Sequence, residues 1–214
     1  MHIHTHPLTS RKMVTWMSVL FMFGASCFAI ASIMFLLPKQ DADFWNKIYF
    51  VGSIPFTSAA FLQLLDATNQ EGQSWKLMAY RPQNRGYMAG LTQWLGTILF
   101  NFNTYDATLQ LSWLQDDFAV WTPNMVGSIL FLISGYILLK EIGFTYSISN
   151  KSNLSVWINM LGCVTFMISA VASIYLPIEL GAWVTNLALV NTLAGALCFF
   201  TCAVLSYQEV HKKG

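Results

Sequence analysis

Charge is what this sequence has least of. Asp, Glu, Lys and Arg make up 10% of its 214 residues, against about 25% in a soluble domain. With a net charge of +1, no global field draws in nucleic acid or an acidic substrate. Charge is scarcest in the middle of the apolar stretches. Asp66 and Glu141 stand at stretch ends, as do Asp106 and Glu179, and no ionisable side chain lies near a midpoint. A proton-coupled pump needs such groups at membrane depth, and a haem quinol enzyme needs histidines there. All four histidines, His2, His4, His6 and His211, lie in the tails instead. No Gly-rich phosphate loop, HExxH, CxxC or nucleophile–base set occurs. No catalytic residue, cofactor or structural metal is therefore expected, and the His-x-His-x-His run reads as a tail. Polar segments are also short. The longest, residues 66–87, cannot bury a core of its own.

The rest of the chain is apolar. Long stretches cover residues 13–37, 44–65, 88–105, 121–139, 154–176 and 182–207. Crossing a hydrocarbon core of about 30 Å takes about 20 helical residues. In lipid, a segment must satisfy its own backbone hydrogen bonds, so each stretch is expected to be a helix. The third and fourth are near the lower limit of length. The first follows Arg11 and Lys12 like a signal peptide, but its apolar run exceeds the 7–15 residues of a signal core. It reads as a retained helix. The expectation is an all-α polytopic membrane bundle of six transmembrane helices. Residues 13–207 form one transmembrane domain between cytoplasmic tails at residues 1–12 and 208–214.

Basic residues orient the bundle. With the N-terminus inside, the inner segments hold Arg11, Lys12, Lys76, Arg81, Arg85, Lys140, Lys151, Lys212 and Lys213, and the outer ones only Lys39 and Lys47. Trp45, Trp121 and Trp183 then mark outer helix ends and Trp16 and Trp157 inner ones, an interfacial aromatic belt.

Tryptophans also suggest a repeat. Trp16 and Trp45, Trp94 and Trp121, and Trp157 and Trp183 each bracket one up-and-down hairpin at near-equal spacing. The second and fourth helices share Val51-Gly52-Ser53-Ile54 and Val126-Gly127-Ser128-Ile129. The sixth keeps a tryptophan and Asn186 and reads as lacking Gly-Ser. The expectation is three parallel helical hairpins about one axis. Mitochondrial carriers share that plan, but their charged signature is missing here, so the plan carries no function.

Small residues mark expected helix contacts. These are Gly52 and Ser53 on the second helix, Gly86 and Gly90 as GxxxG on the third, and Gly127, Ser128 and Gly135 on the fourth. Pro55 is expected to kink the second helix. Cys27, Cys163, Cys198 and Cys202 all lie within stretches and read as packing residues, not as a metal or redox set.

Three segments carry a family resemblance: Phe50-Val-Gly-Ser-Ile-Pro-Phe-Thr-Ser-Ala-Ala-Phe-Leu-Gln63, Gln93-Trp-Leu-Gly-Thr-Ile-Leu-Phe-Asn-Phe-Asn-Thr104 and Trp121-Thr-Pro-Asn-Met-Val-Gly-Ser-Ile-Leu-Phe-Leu-Ile-Ser134. They resemble bacterial integral membrane proteins with a YrhK-like domain, with Pro55 and Asn124 departing from the usual Phe and Asp. The resemblance implies a multi-pass protein of the bacterial inner membrane and carries no functional residue.

The polar residues within the stretches are amides and hydroxyls. Gln63, Gln93, Asn101, Asn103, Thr104, Asn124, Asn186 and Asn191 are the candidate lining of a polar cavity, mostly toward the outer side. The same groups could instead form interhelical hydrogen bonds. The third helix, short and polar, is expected to be surrounded by its neighbours. Two functions follow. The first is a non-enzymatic structural or accessory protein whose partners are lipid, another membrane protein or itself. The alternative is a small neutral-solute transporter or channel using the amide cluster.

Overall fold

A computed structural model describes residues 11–69, 76–77, 79–109, 111–174 and 181–212. His2, His4 and His6, Lys213, Glu179 and most of the N-terminal tail lie outside these residues. The described elements are all helical: α1 (Arg11–Phe35), α2 (Ala42–Thr68), α3 (Arg85–Asp106), α4 (Trp113–Gln115), α5 (Thr122–Glu141), α6 (Lys151–Ala172) and α7 (Ala182–Lys212). A π-helical stretch, Asp116–Trp121, joins α4 to α5 without a break.

Side-chain caps set several starts. The Asp41 carboxylate accepts from the Phe44 N–H, the Asn84 carbonyl from the Tyr87 N–H and the Asn150 carbonyl from the Asn153 N–H, each closing an orphan amide of a first turn. The α5 helix ends at Glu141; just beyond it Gly143, with a φ of 64°, bends the chain away, while the Phe144 N–H reaches back to the Leu139 carbonyl at 3.0 Å. Pro55 sits inside α2, which continues through it.

Among the described residues, five helical stretches are long and apolar enough to cross a membrane: Arg11–Phe35, Ala42–Thr68, Asp116–Glu141, Lys151–Ala172 and Ala182–Lys212. The chain is a multi-pass membrane protein of all-helical build. The fourth span is longer than its apolar run suggests, because the π-helical stretch extends it backwards through Asp116. At 22 residues, α3 has sufficient length but more polar residues. Large apolar side chains such as Phe23, Ile30, Leu161, Val171 and Leu197 are at least half-exposed, a surface that water does not tolerate over such an area.

The long helices close a ring. Each packs on its neighbours in the order α1, α2, α3, α5, α6, α7, and α7 returns to α1. The expected enclosure of α3 by its neighbours is corrected. Its polar and small residues Gly90, Gln93, Thr97 and Thr104 fall on one face at helical spacing and are buried, while Leu95, Phe102 and Tyr105 are exposed. Only one face needs cover, so α3 occupies an ordinary place in the ring.

A motif in every long helix sets the ring's waist. Gly24…Phe28, Gly52…Phe56, Gly96…Phe100, Gly127…Phe131, Gly162…Phe166 and Gly195…Phe199 share one Gly-x-x-x-Phe spacing, and a small residue follows each glycine. Those followers, Ala25, Ser53, Thr97, Ser128, Cys163 and Ala196, are all buried. The glycines meet in pairs. A methyl on Gly24 would come within 2.7 Å of the Gly52 carbonyl, one on Gly127 within 3.1 Å of the Gly96 carbonyl, and one on Gly162 within 3.5 Å of the Gly195 carbonyl. Backbones approach this closely only where no side chain intervenes.

Each phenylalanine packs beside the opposing glycine of its pair, Phe56 against Gly24 and Phe166 against Gly195. Helical side chains lean toward the N-terminus, so a ring four residues after a glycine swings back toward that glycine's level. This holds for helices running in either direction, and the six rings therefore meet. Ring centroids are 5.0 Å apart for Phe100–Phe131, 5.5 Å for Phe56–Phe199, 5.6 Å for Phe131–Phe199 and 6.4 Å for Phe28–Phe166, the range of favourable edge and tilted aromatic contacts.

Candidate functional site: two polar cavities about an aromatic waist

The phenylalanines leave a void of only about 20 Å³ at the waist, lined by residues of all six ring helices, with Ser53, Thr57 and Thr97 among them. On each side the ring opens. The near end, holding the start of α1 and the end of α7, has a cavity of about 240 Å³. The far end, where α1 turns into α2, has one of about 340 Å³. Every ring helix contributes to both linings.

Five of the eight candidate polar residues line these cavities. Gln63 and Gln93 line the near cavity, and Asn103, Thr104 and Asn124 the far one. They do not form the single cavity expected from the sequence, because the waist separates them. Asn101 sits between α2 and α3, its carbonyl accepting from the Thr57 hydroxyl at 3.1 Å. Asn186 is exposed, and Asn191 donates back to the Leu187 carbonyl at 2.9 Å. On α7 the inward positions belong to Thr185, Ala188 and Thr192. A one-residue error in reading helix phase moves a side chain by about 100°, which is why Asn186 and Asn191 miss the lining.

Small-residue positions are reassigned in the same way. Gly52, Ser53, Gly90, Gly127, Ser128 and Gly135 pack at helix contacts: a methyl on Gly90 would meet the Leu64 backbone at 3.4 Å, and one on Gly135 the Met160 sulfur at 2.9 Å. Gly86 does not. A methyl there would approach only the capping Asn84 side chain, at 3.4 Å, so the GxxxG pair has one working member. The sixth helix has no Gly-Ser, and Gly195-Ala196 stands in that place. The four cysteines are free. Cys27 lies against Gly52 and Cys198 against Gly162, while the Cys202 thiol donates to the Ser155 carbonyl at 3.3 Å. The described residues contain no cluster of three or more His, Cys, Asp or Glu suited to a metal.

Polar groups of the far cavity are joined to one another. The Asn46 amide donates to the Ala107 carbonyl at 2.9 Å and the Asn103 amide to the Val120 carbonyl at 2.8 Å. The Trp121 indole N–H donates to the Ala170 carbonyl at 2.8 Å, so this tryptophan turns toward α6 instead of the bilayer interface. Thr104 donates to Ser53 at 3.0 Å, and the hydroxyl pairs Ser32–Tyr49 and Ser169–Thr192 lie 2.8 and 2.7 Å apart. Each bond ties two ring helices.

The near cavity differs. Ser18, Gln63, Gln93, Ser155, Asn159, Cys202 and Ser206 contribute to its wall, with Phe21 and Phe199 toward the waist. Ser18 is 1% exposed, and its hydroxyl has no partner among the described residues. Sequence reading did not place Ser18 or Asn159 here. Counting residues from the Gly-x-x-x-Phe motif, rather than from the tryptophans, finds both: they fall on the buried face toward the near end.

No family model matches the chain, and no curated protein and no solved structure matches it.

Proposed function

We propose that this protein is a passage for small neutral solutes in the bacterial inner membrane. It is built from six spans in three parallel hairpins, with its near end in the cytoplasm. The observation that carries the reading is the pair of polar cavities, each lined from all six ring helices, on either side of the phenylalanine waist. The waist hydroxyls of Ser53, Thr57 and Thr97 are spent on helix carbonyls, so the waist is costly for ions, which lose their hydration there. Neutral solutes lose far less. The solvated ends and apolar centre therefore favour uncharged cargo, and the closed waist makes this the resting state. The resemblance of residues 50–63, 93–104 and 121–134 to YrhK-like proteins supports the inner-membrane placement, and the basic residues near helix ends support the orientation.

Osmotic swelling of vesicles tests the reading. Vesicles carrying the protein should swell faster in glycerol or acetamide than protein-free vesicles, and Phe131→Ala, which thins the waist, should swell faster still. No acceleration with either protein would end the proposal. For orientation, a reporter active only in the cytoplasm should be active when fused after Lys212 and silent when fused after Asp116. The reverse pattern would invert the assignment.

The accessory reading keeps one specific support, the far cavity's use of its polar groups for helix–helix bonds. If that is the whole role, mild-detergent purification should bring down a stoichiometric membrane partner or a homo-oligomer, and vesicles should show no added permeability.

A further inference from the structure

We propose that the near cavity is a binding site for a small uncharged molecule bearing both a hydrogen-bond donor and an acceptor, of the carboxamide type. The proposal rests on the passage reading for where the molecule goes, but its binding can be tested apart from passage. Three polar side chains here are deeply buried: Ser18 at 1%, Gln93 at 5% and Asn159 at 9% exposure. Buried polar groups in proteins are nearly always paired. The far cavity obeys that rule through interhelical bonds, and the near cavity leaves capacity over. The Ser18 hydroxyl is unpartnered among the described residues, and Gln63 of α2 faces the same space.

The existing bonds orient the two amides in opposite senses. The Ser134 hydroxyl donates to the Ala89 carbonyl at 2.9 Å and shares its proton with the Gln93 carbonyl at 3.3 Å, which leaves the Gln93 NH₂ as a free donor on α3. The Asn159 NH₂ leans on the Cys163 sulfur at 3.9 Å, which leaves its carbonyl as a free acceptor on α6. A carboxamide satisfies both with its own carbonyl and NH₂. Met17, Phe21, Leu138, Val156 and Phe199 surround these groups with apolar surface for a compact carbon frame. Among the described residues, Glu209, near the end of α7, is the only ionisable lining residue apart from the Cys202 thiol. An anionic ligand among the amides would meet no cation in that lining.

Saturation-transfer NMR on the full chain in lipid nanodiscs tests this, with acetamide as the probe and acetate as its charged counterpart. Acetamide should show transfer and acetate none. Gln93→Leu and Asn159→Leu should each weaken acetamide binding about tenfold, the equivalent of one lost hydrogen bond to a buried group. Leu130→Ile should bind like the parent. If either leucine variant fails to fold, Ser18→Ala and Gln63→Leu carry the test, since neither gives up a hydrogen bond seen among the described residues. Absent acetamide transfer, equal transfer with acetate, or undiminished transfer in the folded cavity variants would each overturn the site. Swelling of the same preparations separates the two proposals. Binding without swelling keeps the site and removes the passage, whereas swelling without binding removes the site alone.

Discussion

The two cavities are made of the same kinds of residue and use them in opposite ways. In the far cavity, the amides of Asn46 and Asn103 and the hydroxyls of Thr104, Ser169 and Thr192 bridge neighbouring helices. In the near cavity, Ser18 has no partner among the described residues and Gln93 has one long bond. An asparagine within a membrane span is thus not evidence of a ligand site until its bonds are counted. Of the outer asparagines that looked most functional in the sequence, Asn101 and Asn103 bond across to neighbouring segments. The less conspicuous serines and amides toward the near end are the ones with free capacity.

The comparison breaks most readily at the waist that divides the cavities. Gly52→Leu, Gly127→Leu and Gly195→Leu should each lower stability by about 1–3 kcal/mol, because a large side chain is forced where backbones or a phenylalanine ring already touch. Leu130→Ile, away from the glycine pairs, should stay under about 1.5 kcal/mol. Thermal unfolding in one detergent compares the four. If Gly52→Leu and Gly127→Leu differ widely, the hairpins are not equivalent. If all three glycine variants match the control, the waist is not a close contact.

Next comes the far cavity. Asn46→Leu and Asn103→Leu remove interhelical bonds of 2.9 and 2.8 Å. Each should cost about 0.6 kcal/mol, up to about 1.7, the measured range for such bonds within membranes. The same unfolding assay reads this loss. A neutral result at both positions would mean that the far-cavity bonds are incidental.

The smallest effect belongs to the near cavity. Ser18→Ala removes a buried hydroxyl without a partner among the described residues. Its stability should hold or rise slightly, because leaving such a group unpaired costs about 1–3 kcal/mol unless water or a ligand meets it. A clear loss of stability would show that Ser18 has a structural bond, and the contrast between the cavities would weaken.

Much of the fold was legible because its signals are long. The apolar runs at residues 13–37, 44–65, 154–176 and 182–207 correspond to α1, α2, α6 and α7. Lipid demands such runs and tolerates few alternatives. Phase was harder to read. Asn191 and Thr192 are neighbours in sequence, yet Thr192 lines the cavity and bonds Ser169 while Asn191 turns back on its own helix. Composition cannot separate them, since both are polar in a helix that is apolar on most of its circumference. Tryptophans were a poor ruler for the repeat because helix ends adapt to their loops. Trp121 illustrates this by turning inward to bond the Ala170 carbonyl. The glycine–phenylalanine spacing was a better one, because it marks where backbones touch and so cannot drift along the helix.

That spacing also bears on direction. Within each pair, the glycine of one helix faces the glycine of its antiparallel partner, and each phenylalanine lies beside the opposite glycine. Turning a pair end over end about a line across the ring exchanges its two members and restores the same arrangement. On the proposed passage reading, a solute arriving from either end would meet a similar glycine–phenylalanine arrangement at the waist. Any preference for import over export would then have to be written into the two unlike mouths.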